Sequence, residues 1–138
     1  MGNSQATKAL LDTGAPHCLF PRGIGDLLQI DFSRQTNRAT TSFLGNSWHT
    51  VSEEVTLSLG APAFTWSAVV DFVREEGLPF GLLGYEGFMT HWAVSFNGSL
   101  GYFAIHSTEE FHENFDRTAL LSLASEYPEL MPPELLES

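Results

Sequence analysis

Positive charge is scarce in this sequence. Six Lys and Arg stand against seventeen Asp and Glu, a formal net charge of -11. Nucleic acids and anionic membrane surfaces both require a basic face, so neither is an expected partner. Cysteine is nearly absent. Cys18 alone rules out an intrachain disulfide, and within its apolar run it reads as buried packing rather than a reactive thiol. A lone thiol suits a reducing compartment, and the expected location is cytoplasmic. No apolar stretch approaches the ~20 residues of a membrane-spanning helix. No basic, apolar leader opens the sequence, and Ala6 stands where an N-myristoylation motif needs Ser or Thr. Repeats and low-complexity tracts are missing. So is a G-x-S-x-G nucleophile turn, and Gly23-Ile24-Gly25 lacks the rest of a phosphate loop.

What is present is apolar and aromatic. A hydrophobic share of 43% over 138 residues supports one domain with a real core and excludes disorder for most of the chain. The dominant period is that of strands. Residues 7–12 and 17–20 read as short strands about a turn, and 21–28 as one or two helical turns opened by Pro21. Threonine-rich 36–44 suits a strand, with a turn at Gly45-Asn46-Ser47. Residues 51–59 alternate with one slip. Residues 63–72 alternate cleanly, with Phe64, Trp66, Ala68, Val70 and Phe72 on one face. A polar connector at 74–77 leads to a short apolar strand at 80–84 and a helical turn at 85–91. Residues 92–96 and 100–105 form a hairpin about Asn97-Gly98. That turn also accounts for the Asn97-Gly98-Ser99 sequon. Residues 117–126 read as a helix, and proline-containing 128–138 as a tail. The expectation is an all-β body over 1–106 and an acidic, partly helical C-terminal extension over 107–138.

One stretch carries chemistry. In ALLDTGAPHCLF, residues 9–20, an apolar strand runs straight into Asp12 and carries a carboxylate toward the interior. Peptide hydrolysis by carboxylates needs one group to take a proton from water and another to give one to the scissile carbonyl. Two carboxylates about 3 Å apart share a single proton and fill both roles. Holding them there takes a rigid turn. The hydroxyl of Thr13 can lock it, and Gly14 lets the backbone come close. The plain alternative for Asp12 is a structural aspartate capping a tight turn. Ala9-Leu10-Leu11 before the motif, Ala15 after it, and the later Leu82-Leu83-Gly84 speak for the acid.

Taken together, ALLDTGA, a hairpin over 43–51, and FGLLGYEGFMTHWAVSFNG resemble the retropepsin-like aspartic proteases, most closely their single-domain bacterial versions. The likeness spans about residues 6–106. It implies a closed, barrel-like β fold with one lobe per chain and an apolar-apolar-glycine strand threaded behind the acid loop. With a single Asp-Thr-Gly, it also implies a homodimer that pairs Asp12 with its symmetry mate. Asp12, Thr13 and Gly14 would be catalytic. Ala15, Gly45, Ser47, Trp48 and Leu82 would bind an extended peptide or protein substrate under the hairpin. Water would be the nucleophile, with no metal or other cofactor.

The sequence departs from the family in two places. Viral members pair an acid after DTGA with an arginine after the second glycine motif; here Pro16-His17 and Tyr85 hold those positions. The strand that family members carry ahead of the turn at Gly2-Asn3-Ser4 has no counterpart. A second reading follows: a catalytically silent protease-like domain used for peptide binding or dimerisation. Other signals have simpler explanations. His106 and His112 are six apart and do not share a helical face for a metal, so surface histidines are the expectation. His17 reads as a packed or exposed histidine before it reads as a modulator of the acid. Trp48 is either a substrate-facing aromatic or packing at the subunit boundary.

Overall fold

The computed structural model describes residues 3–34, 41–43, 45–60 and 64–107. The chain divides into two compact units, Met1–Ile105 and His106–Ser138. The expected helix over 117–126 and the tail after it lie outside the described residues, as do the first residues of the strand expected over 36–44.

The first unit is built on a mixed five-stranded sheet of β1 (Ala9–Leu11), β2 (Leu19–Phe20), β5 (Thr50–Ser58), β6 (Thr65–Val73) and β7 (Gly81–Leu83). Their order is β1-β7-β2-β6-β5. Two further sheets have two strands each: β3 (Thr41–Phe43) with β4 (Asn46–Trp48), and β8 (Ala93–Asn97) with β9 (Tyr102–His106). All three sheets are open. Among the described residues they do not close into the barrel that the sequence led us to expect. No described helix is long and apolar enough to cross a membrane.

Alternation sorts the core into two faces. On one, Cys18, Phe20, Trp66, Ala68, Val70, Phe72, Leu83 and Phe88 form the larger cluster. On the other, Leu19, Trp48, Val73, Leu78 and Leu82 pack together with Phe43 and Phe80 at their margin. Neighbours in sequence therefore part company: Leu19 from Cys18 and Phe20, Leu82 from Leu83. The long β5–β6 pair, in register from Thr50↔Val73 to Ser58↔Thr65, is the backbone of the sheet. The buried Trp66 ring leans on Phe88 and donates from Nε1 to the Gly87 carbonyl at 2.7 Å.

The helix α1 (Arg22–Leu27) covers part of the larger cluster through Ile24 and Leu28. It ends in a Schellman motif. The amide of Ile30 donates to Gly25 and that of Gln29 to Asp26, with Gln29 in the left-handed region at φ 61°.

Two turns differ from their sequence expectation. The first hairpin pairs Phe43 with Asn46 and Ser42 with Ser47, so Asn46 and Ser47 are strand residues and, of the expected turn residues, Gly45 alone lies in the turn. Gly45, at φ 75°, supplies the positive φ that such a tight turn needs. In the second, Asn97 belongs to β8, and residues 98–101 make a longer loop. The Asn97 side chain organises it, accepting from the amide of Leu100 at 3.0 Å and the hydroxyl of Ser99 at 2.9 Å. Residues 85–91 form successive turns with no assigned helix.

Candidate active site

β1 delivers Asp12 to the end of the sheet. Its amide donates to the Leu83 carbonyl at 3.0 Å, extending the β1–β7 pairing by one step. The chain then turns back on itself. The Asp12 carbonyl accepts from the Ala15 amide at 3.1 Å, and Asp12 Oδ1 accepts from the Gly14 amide at 2.9 Å. A Cβ at Gly14 would lie 3.4 Å from Oδ1, an ordinary contact, so the hydrogen bond itself does not demand glycine. Thr13 is exposed, and among the described residues its hydroxyl makes no hydrogen bond, so the Gly14 and Ala15 amides hold the turn in the single chain. Asp12 itself is half-buried at the surface, and Ala9 and Leu10 ahead of it are exposed. The apolar run therefore leads the acid along a sheet edge rather than into the interior.

β7 lies between the two strands that flank this loop. It runs parallel to β1 and antiparallel to β2, so the second motif threads the loop from behind. Past β7 the contact continues: Tyr85 donates to the Ala15 carbonyl at 2.8 Å and Glu86 to the Pro16 carbonyl at 2.9 Å. Gly84, at the crossing point, is buried with its amide 3.4 Å from Cys18 Sγ. Cys18 is a free, buried cysteine. Burial pushes its thiol pKa up; the Gly84 amide opposes this and the charge of Asp71 adds to it.

A cleft of about 100 Å³ opens beside Asp12. Gly14 to His17 form one wall, Leu19, Leu82 and Asp71 line the sheet side, and Phe43 of the first hairpin borders it. Among the residues expected from sequence, Asp12, Gly14, Ala15 and Leu82 meet here. Gly45 and Ser47 are exposed on the hairpin and do not line the cleft. Trp48 is buried among Leu19, Val73, Leu78 and Leu82, and its Nε1 donates to the Phe43 carbonyl at 3.1 Å. The packing observed is internal to the chain, against the sheet face of Leu19 and Leu82. The indole supports the residue that borders the cleft.

His17, set aside at the sequence level, also lines the cleft, and its Nδ1 lies 3.1 Å from Glu86 Oε2. The contact joins the loop to the strand threaded behind it. Sequence reasoning missed Phe43 and Asp71. For Asp71 a signal was available, since in Val69-Val70-Asp71-Phe72-Val73 an acid interrupts an apolar strand. Among the described residues no group of three His, Cys, Asp or Glu is placed to hold a metal ion.

No family model, no curated protein and no solved structure matches this chain.

Proposed function

We propose that this chain is a retropepsin-like aspartic endopeptidase that works as a homodimer on peptide or protein substrates. One observation carries the reading. The strand Gly81–Leu83, followed at once by Gly84, threads between the two strands that flank the Asp12 loop, and a cleft opens at the carboxylate so held. A loop pinned on both sides keeps an acid in fixed position, which is what shared-proton catalysis requires.

In the proposed reaction, Asp12 and its symmetry mate share one proton. The ionised carboxylate takes a proton from water as it attacks the scissile carbonyl, and the other donates to the carbonyl oxygen. The proton then passes to the leaving amine, without a covalent intermediate. Ala15 offers backbone groups to an extended substrate, and Leu82 and Phe43 offer apolar surface. A cytoplasmic setting accords with the free, buried thiol of Cys18.

One observation favours the second reading, a silent peptide-binding or dimerising domain. The hydrogen bond from the Gly14 amide to Asp12 Oδ1 closes within one chain and needs no partner. A single variant separates the two. In Asp12→Asn the amide oxygen still accepts from Gly14, so the fold and the mass in solution are expected to stay the same. Cleavage of a peptide mixture between about pH 3 and 7, the range in which a shared-proton pair operates, is expected to disappear. Turnover unchanged in Asp12→Asn refutes the mechanism. Peptide binding without cleavage in the parent protein supports the silent domain.

A further inference from the structure

Two segments lie against each other behind Asp12. One is the acid loop, residues 12–17, which leads from β1 toward β2. The other is residues 84–86, which follows β7. Their backbones are tied step by step. The Tyr85 amide donates to the Ala15 carbonyl at 2.8 Å and the Glu86 amide to the Pro16 carbonyl at 2.9 Å, and Glu86 forms a parallel bridge with His17. A side-chain contact closes this row: the buried Nδ1 of His17 stands 3.1 Å from Glu86 Oε2.

That distance is short enough for a hydrogen bond, but the oxygen is out of line with the ring and no aligned bond forms. The two protonation states of the ring therefore differ. A neutral imidazole leaves a buried nitrogen without an aligned partner, which costs free energy. An imidazolium is attracted to the carboxylate whatever the angle, because the attraction between charges depends on distance. The titratable groups around the ring come from four elements. Asp12 and Asp71 line the cleft with His17, Cys18 follows it in the chain, and Tyr85 and Glu86 lie across the bridge. Phe43, from the first hairpin, is apolar. None of these groups carries positive charge, so none repels an imidazolium.

We propose that His17 is a positioning residue for Asp12, acting through a charge-dependent tie to Glu86. Histidine changes charge between pH 5 and 8, and glutamate does not. The tie is made at the acid end of that range and lost at the other. When made, it holds the far end of the loop against residues 84–86, and the carboxylate at the near end is held with it. The two side chains are 34% and 55% exposed, so the pair has the strength of a surface ion pair, roughly a 2- to 5-fold shift in the closed population. Placement of a reacting group is sensitive to small displacements, so the shift passes to the rate. The inference rests on the endopeptidase reading for that effect on rate, but not for the tie.

The test uses the full chain, with amide exchange read at pH 5 and pH 8 in the parent and in Glu86→Gln. The amides of Tyr85 and residue 86 report the loop's contact with the threaded segment, and the amide of Gly14 reports the placement of Asp12. In the parent, protection at all three is expected to fall about 2- to 5-fold from pH 5 to pH 8 relative to Val70 and Phe72 in mid-β6. In Glu86→Gln it is expected to sit at the parent's pH 8 level throughout. His49 with Glu75, and the other histidines, are the same in both proteins, so the difference isolates His17. His17→Gln should match Glu86→Gln; if it fails to fold, Glu86→Gln decides alone. Protection lowered equally at both pH values marks a plain packing contact and overturns the proposal. So does protection unchanged in Glu86→Gln, or changed at Tyr85 and residue 86 but not at Gly14. Where the parent cleaves peptides, kcat of Glu86→Gln is expected to be about 2- to 5-fold lower at pH 5 and equal at pH 7, with KM unchanged. Identical pH profiles of kcat overturn the proposal and leave the endopeptidase reading standing. The expected exchange pattern in a parent that cleaves nothing supports the tie and removes only the endopeptidase reading.

Discussion

Gly84 sits so close to the acid loop that a Cβ built on it would lie 2.3 Å from the carbonyl oxygen of His17 and 2.7 Å from that of Ala15. Both obstacles are backbone, so neither can rotate away. The close approach holds the threaded strand against the loop that carries Asp12, and only glycine permits it.

Gly84→Ala is therefore expected to cost about 1–3 kcal/mol or more of stability, as overpacked sites do. It should also push the 15–17 segment away from Tyr85 and Glu86. Urea unfolding measures the first effect and amide exchange at Tyr85 and Glu86 the second. A variant of parental stability with the same protection at both amides contradicts the threaded arrangement.

Glu75 ties the base of the first hairpin to the end of β6. Its carboxylate meets the His49 ring and accepts from the His49 amide at 3.0 Å. Burial works to raise its pKa. The hydrogen bonds from the His49 ring and amide and from its own amide, with the charge of the ring, outweigh burial and hold Glu75 below the usual carboxylate value. The native state thus binds fewer protons here than the unfolded chain. The stabilisation is present above the ordinary glutamate value of 4.5 and is lost as pH falls through the lower native value. Glu75→Gln should unfold at lower urea than the parent at pH 7, and the gap should close as acid is added. A gap that stays constant down to pH 3, or widens, contradicts this assignment.

Cys18 has the opposite sign. Its thiol is pushed up by burial first, with Asp71 adding and the Gly84 amide subtracting, so the native state holds that proton more tightly than the unfolded chain does. Its contribution to stability is present below the thiol's ordinary value and is lost as pH rises through the native one. At neutral pH a thiol-reactive disulfide reagent should react with native protein far more slowly than with urea-unfolded protein. Cys18→Ala should remove part of the alkaline loss of stability. Equal reaction rates for native and unfolded protein contradict the burial.

Strand existence was legible where alternation was strict. Trp66, Ala68, Val70 and Phe72 are buried on one face of β6, as their spacing requires. Turn positions were less legible, because Asn and Ser favour turns by composition but pair as strand when a partner is present. Asn46 and Ser47 oppose Phe43 and Ser42, and the glycine before them takes the turn. The depth of Asp12 was misjudged because an apolar run does not reveal that its strand lies at a sheet edge. The order β1-β7-β2 and the placement of Asp71 in the cleft of Asp12 depend on pairing between distant segments, which no local pattern encodes. The one available hint was an acid with apolar neighbours on both sides.

The proposed catalysis needs two chains to bring their acids together, and the separation of the Asp12 carboxylates across an assembled dimer tests it most directly. A crystal structure of the protein at its working concentration is expected to show a two-fold axis at the loop, with the nearest oxygens about 3 Å apart. Carboxylates held in separate clefts, or a chain that stays monomeric at high concentration, would contradict it.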